Sequence, residues 1–201
     1  MRKESPSTNP LVSDLVLIGG GHAQVHVIKM CGMEPYRSIL ANNGIRVTLI
    51  ARDIMTPYSG MLPGYISGHY TFDQIHIDLN RLCSFAGIRL IHAAASKIVP
   101  EKKPSTTRRG GGGLVYCNDN RPPVRYDALS IDIGSRPSGW GGSAQEISED
   151  GLTPVKPIAG FATRYANLLR RLEKCAKNYT KESPFKLLVV GGGAGKYIVS
   201  R

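Results

Sequence analysis

Short apolar runs that close on glycine alternate along this chain with longer stretches of helical periodicity, as in a parallel sheet covered by helices. Residues 11 to 18 form one such run and lead into Gly19-Gly20-Gly21, which predicts a buried parallel strand. A helix over His22 to Met33 follows, with Ala23, Val27 and Met30 near one face and Pro35 helping to end it. Ile45 to Ala51 is a second strand. The start of the chain is therefore a β-α-β unit, whose right-handed crossover makes its strands parallel neighbours. Thr56 to Gly68 is rich in turn formers. Asp78 is placed to cap a helix over Leu79 to Ala86, and Gly87 to stop it. Ile88 to Val99 reads as a strand with room for a bend, and Leu114 to Cys117, Val124 to Tyr126 and Ala128 to Ile133 as short strands. Pro157 begins a helix to about Tyr179, with Ile158, Phe161, Tyr165, Leu168, Leu169 and Leu172 at helical spacing. Phe185 to Val190 is a last strand, leading into a second glycine run.

With 201 residues, 41% of them hydrophobic, the chain has material for one packed domain or one and a fraction. No stretch reaches the roughly 18 continuous apolar residues of a membrane-spanning helix. Residues 1 to 10 are polar, lack the apolar core of a secretion signal and are expected to be disordered. Cys31, Cys83, Cys117 and Cys175 form no C-x-x-C pair, so buried structural cysteines in a reducing intracellular compartment are expected. The net charge of +11 raises nucleic acid or an anionic membrane as partners. The charge is spread over a low-complexity basic loop at 101 to 113 and over the long helix. No recognition motif or interleaved aromatic pattern accompanies it, so nucleic acid is not expected as a partner.

The candidate chemistry lies in the glycines. A tight glycine turn between a strand and a helix lets backbone N–H groups approach a pyrophosphate, and the helix start adds a favourable positive end. Gly19 makes the turn and Gly21 permits close approach, with Gly20, His22 and Ala23 completing the loop. Gln24 stands where the fingerprint has glycine or alanine. The ribose-binding acid expected at the end of the second strand falls near Ala51. Asp53 is the nearest carboxylate, and Arg52 is an alternative contact for phosphate or adenine. His22 and His26 are four apart on a helix, but no third ligand is evident, so no metal is expected.

The ordered set GGG, V-T-L-I, T-P-Y-S-G-M-L-P-G, Y-D-A-L-S-I-D-I-G-S-R-P and L-L-V-V-G-G-G-A-G resembles the pyridine nucleotide–disulfide oxidoreductase superfamily. Within it the chain is most similar to type II NADH dehydrogenases, sulfide:quinone reductases and the flavoprotein module fused to selenide, water dikinase, over residues 12 to 195. The resemblance implies an α/β fold: a Rossmann-like FAD-binding domain with a parallel sheet and a small antiparallel β insertion, over residues 11–160. In residues 161–201 it implies a linking helix and an NAD(P)H-binding domain that is only begun. It assigns Gly19, Gly20 and Gly21 to the FAD pyrophosphate and the segment from Pro57 to Gly64 to the flavin ring. The strand and turn from Tyr126 to Ser135, with Gly134 and Ser135 retained, are assigned to packing on FAD, and Gly191 and Gly193 to NAD(P)H. Asp132 and Ile133 replace the family's alanine and threonine, and a buried Asp132 would need partners.

The implied activity is FAD-dependent transfer of electrons from NAD(P)H or another small reductant to a quinone-like acceptor. The alternative is a truncated, non-catalytic nucleotide-binding fragment. Lys196 stands at the third-glycine position of the second fingerprint, and the chain closes at Arg201. Gly195-Lys196-Tyr197 is encodable as GGT-AAG-TAT, which contains a string like a eukaryotic splice donor. The expectation is that Lys196 to Arg201 is translated intron and that the 201 residues retain FAD weakly or not at all. A transcript sequenced across these codons tests the first point.

Overall fold

The structure is a computed structural model that describes residues 13–101, 112–135, 153–158, 160–176 and positions 178, 180 and 188. Among the described residues the order is β1 (Ser13–Ile18), α1 (His22–Cys31), α2 (Tyr36–Asn42), β2 (Ile45–Ala51), β3 (Met55–Pro57), α3 (Leu62–Ile66), β4 (His76–Asp78), α4 (Leu79–Ala86), β5 (Arg89–His92), β6 (Ala95–Pro100), β7 (Gly113–Cys117), β8 (Val124–Tyr126), β9 (Ala128–Ile131) and α5 (Phe161–Ala176). The chain divides into two compact units, Met1–Met55 with Asp78–Ile133, and Thr56–Ile77 with Gly134–Arg201.

The first unit is an α/β, Rossmann-like layer structure. Its parallel sheet has the order β5-β2-β1-β9, and a three-stranded antiparallel sheet has the order β6-β7-β8. β1 and β2 run in register from Ser13 opposite Ile45 to Ile18 opposite Ile50. In β2, Val47, Thr48, Leu49, Ile50 and Ala51 are all buried, as in a parallel strand covered on both faces. Val16, Ile18, Ile50 and Ile91 of the parallel sheet join Val115, Val124 and Tyr126 of the antiparallel sheet in one core cluster. Leu17 and Leu49 are buried on the opposite face, and the helices α1 and α4 lie against each other.

Several elements depart from the sequence expectation. α1 ends at Cys31 instead of Met33, and its buried residues are Gln24, Val25, Ile28 and Cys31, while Ala23 and Val27 are exposed. The helix takes its rotation from the turn that starts it and from a bond to the sheet: Gln24 Nε2 donates to Ser130 Oγ at 2.9 Å. Pro35 precedes a second short helix, α2, which buries none of its residues and so leaves no apolar stripe in the sequence. Ile88 to Val99 is two strands. β5 pairs with β2, β6 pairs with β7, and the chain changes sheets at Ala93, whose N–H donates to Ala51 O at 3.0 Å. The strand expected over Ala128–Ile133 ends at Ile131.

Asp78 and Gly87 act as the sequence predicts. Asp78 Oδ1 accepts from the N–H groups of Asn80 and Arg81 at 2.9 and 3.1 Å, and Gly87 closes α4 at φ +67°.

The second unit holds the two-stranded sheet β3-β4, α3 and α5 around Leu62, Ile75 and Phe161, with Tyr65, Ile66, Ile158 and Tyr165 packed on them. Tyr165 stacks on Phe161 at 5.8 Å between centroids, and its hydroxyl donates to Ile66 O at 3.3 Å. α5 begins at Phe161, later than Pro157, because Pro157 and Ile158 form a bend that precedes it. The expected strand over Phe185 to Val190, apart from an exposed Leu188, and most of the 101–113 loop lie outside the described residues.

Candidate functional site

The turn between β1 and α1 is built by backbone approach. Gly19 takes φ +92°, and its N–H donates to Ile50 O at 2.8 Å, which ties the turn to the end of β2. A Cβ on Gly19 would lie 2.2 Å from the backbone oxygen of Asp132, so both conformation and space require glycine there. Asp132 continues the line of β9, its N–H donating to Ile18 O at 2.8 Å, while its own carbonyl accepts from Gly21 N–H at 3.2 Å.

The Asp132 side chain enters the same turn. Its Oδ2 accepts from Ala23 N–H at 3.0 Å, and a Cβ on Gly21 would meet the carboxyl group at 2.1 Å. α1 has no acid in its first turn and no capping side chain from Gly21, so Asp132 supplies the negative charge that a helix start favours. The residue whose partners the sequence left unexplained is thus satisfied by the glycine turn itself. For a dinucleotide, the backbone of Gly19 to Ala23 has the required strand–turn–helix geometry. The carboxylate of Asp132 fills the space beside Gly21 at the start of α1.

At the end of β2, Ala51 is buried. Arg52 Nη2 pairs with Asp53 Oδ2 at 2.8 Å, both side chains being well exposed, and Arg52 O is bonded to His92 Nε2 at 2.9 Å. The Asp53 carboxylate is therefore already engaged by its neighbour. In the second unit Pro57 closes β3. Gly134 takes φ +75° in open space, and Ser135 Oγ accepts from Lys156 Nζ at 2.8 Å. Gly191 and Gly193 lie outside the described residues. His22 and His26 are exposed, and among the described residues no group of His, Cys, Asp and Glu is placed to hold a metal. Cys31 and Cys83 are buried and free, and burial pushes the Cys83 thiol up to about 11, so it is protonated at neutral pH.

A feature the sequence reading missed lies at the opposite end of the parallel sheet. A groove of about 520 Å³ is lined by Arg46, Arg89, Arg121 and Arg125 with Pro122 and Pro123. Asp14, only 4% exposed at its side chain, accepts from Arg46 Nε at 2.7 Å and lies 3.6 Å from Arg125 Nη1. Asp127 pairs with Arg125, and Asp119 with Arg121. Arg89 bonds the hydroxyl of Thr48 at 3.2 Å. The available signal was Asp14 within an apolar strand: a buried acid calls for a cation on the neighbouring strand.

No protein-family model and no curated protein matches this chain. Among solved structures it is similar to the sulfide:quinone oxidoreductase of the hyperthermophilic bacterium Aquifex aeolicus. The TM-score is 0.57 and the identity 20%, over 83% of this chain and 33% of that one. That likeness shows the fold, an α/β arrangement with a parallel sheet and a small antiparallel sheet. The chain spans about a third of the length of that structure.

Proposed function

We propose that this chain is the FAD-binding N-terminal portion of a flavin-dependent oxidoreductase, which transfers electrons from NAD(P)H or another small reductant to a quinone-like acceptor. The observation that carries the reading is the glycine turn: Gly19 at φ +92° between a buried parallel strand and a helix, in a sheet with strand order β5-β2-β1-β9. The ordered motifs of the sequence support it, as does the fold shared with a protein described as a sulfide:quinone oxidoreductase. When bound, the flavin supplies the hydride and electron chemistry. This chain's own part is to bind and orient. The turn from Gly19 to Ala23 and the start of α1 lie toward the dinucleotide phosphates, with Ala23 N–H, now held by Asp132 Oδ2, as a donor to them, and Arg52 and Asp53 stand at the strand end that meets the adenosine ribose. Pro57, Gly134 and Ser135 belong to segments that the resemblance assigns to the flavin. Gly191 and Gly193 are proposed for NAD(P)H.

The test is to titrate FAD into the 201-residue chain and follow flavin fluorescence. Weak quenching that saturates only at high FAD concentration, with one site per chain, is expected. No quenching at concentrations far above those of flavoenzymes overturns the reading. A second reading, a nucleotide-binding fragment without catalysis, is favoured by the likeness covering only about a third of the similar structure. Oxidation of NAD(P)H by the flavin-loaded chain would support the first reading over the second.

A further inference from the structure

Three features compete for interpretation: the arginine-lined groove, the buried thiols, and the carboxylate inside the glycine turn. The groove's arginines are largely paired with Asp14, Asp119 and Asp127, and the Cys83 thiol is protonated and enclosed. The third feature is not explained by packing alone.

We infer that Asp132 is an internal stand-in for the dinucleotide phosphate, and that it sets how tightly this chain holds a phosphate-bearing ligand. The inference rests on the dinucleotide-binding reading above. Three observations converge on it. The backbone of Asp132 is fixed on both sides, by Ile18 O and by Gly21 N–H, so the residue cannot leave the turn as a whole. Its side chain bonds the N–H of Ala23 in the first turn of α1, one of the donors a bound phosphate would use. It also fills the space that the absence of a side chain at Gly21 creates, which a fingerprint glycine otherwise leaves for the ligand.

Two anions do not share this position without cost. A phosphate placed there meets a carboxylate at contact distance, where the repulsion between unit charges is appreciable even near water. Binding therefore requires the side chain to rotate out and give up its bond to Ala23 N–H. In the ligand-free protein the same carboxylate satisfies the helix start, so the turn is formed before any ligand arrives. Asp132 thus makes the free state self-sufficient and weakens the bound state, and it does so by charge.

The experiment compares wild type with D132N and D132A as full 201-residue chains, titrated with FAD, with ADP and with adenosine. Binding is followed by flavin fluorescence and ligand-observed NMR, and folding by circular dichroism. D132N retains an oxygen able to accept from Ala23 N–H and removes only the charge. Its affinity for FAD and ADP is expected to rise about tenfold or more, while its affinity for adenosine, which has no phosphate, stays within about twofold. D132A is expected to show the same gain with a lower melting temperature. Equal affinity of wild type and both variants for FAD and ADP overturns the inference and leaves the dinucleotide reading standing. Weaker binding by a folded D132N overturns it too, making Asp132 a direct ligand contact. A parallel change for adenosine and ADP points to a purely structural role and overturns it as well. Absence of FAD, ADP and adenosine binding in all three folded proteins removes the dinucleotide reading and the inference with it.

Discussion

The two ends of the parallel sheet solve the same electrostatic problem in opposite ways. At the C-terminal end, positive potential comes from backbone N–H groups at the start of α1, and one carboxylate, Asp132, neutralises it from across the turn. At the N-terminal end the positive charge is carried by the side chains of Arg46, Arg89, Arg121 and Arg125. It is divided among Asp14, Asp119 and Asp127, with Arg89 bonded to a hydroxyl. The first arrangement uses dipoles fixed by the fold and tolerates almost no side chain, because Gly19 and Gly21 have no room for a Cβ. The second uses long side chains, several of them half-exposed, that re-pair easily. A site made of backbone is sensitive to a single methyl group, whereas a site made of arginines is sensitive mainly to loss of its buried acid.

The largest effect that separates the two ends is expected for Gly19→Ala. The new Cβ meets backbone, and the residue needs φ +92°, so the loss of stability should be about 3 kcal/mol or more by denaturant unfolding. Asp132→Ala should not rescue it, because the obstructing atom is the Asp132 carbonyl oxygen. Asp14→Ala should come next, at about 2–3 kcal/mol, because it removes the buried acid from Arg46 and Arg125. An unchanged unfolding midpoint there would show that the arginines re-pair fully.

Gly21→Ala is expected to cost about 1–2 kcal/mol. Here the obstruction is the Asp132 carboxyl group, so most of that cost should vanish in the Asp132→Ala background. Additive single and double variants would deny the contact. The smallest change is expected for Arg89→Ala, within about 0.5 kcal/mol, since this exposed side chain has a hydroxyl and no acid as its bonded partner.

Much of the first unit was legible from residue order. β2 was bounded correctly at Ile45 and Ala51, and Asp78 and Gly87 marked the ends of α4, because strand runs and helix caps are local signals. The glycine turn was legible for the same reason. The rotation of α1 was not. The sequence offers two apolar faces, Ala23-Val27-Met30 and Val25-Ile28-Cys31, and the structure buries the second, with Gln24 beside it bonded to Ser130 on β9, while Val27 is exposed. Nor did composition show that Ile88 to Val99 is divided between two sheets, because both halves are equally apolar and only pairing partners distinguish them.

Asp132 shows where sequence and tertiary structure divide their work. The sequence by itself determined a parallel α/β layer, a glycine turn between its first strand and helix, and a departure from the resembled family at position 132. Only the tertiary structure decided what that departure does. A residue 109 positions from Ala23 reaches the start of α1 because β9 lies beside β1. Local patterns encode elements through periodicity and caps. The contact between a carboxylate and a distant helix start depends on strand order and register, which the packing of the whole sheet sets.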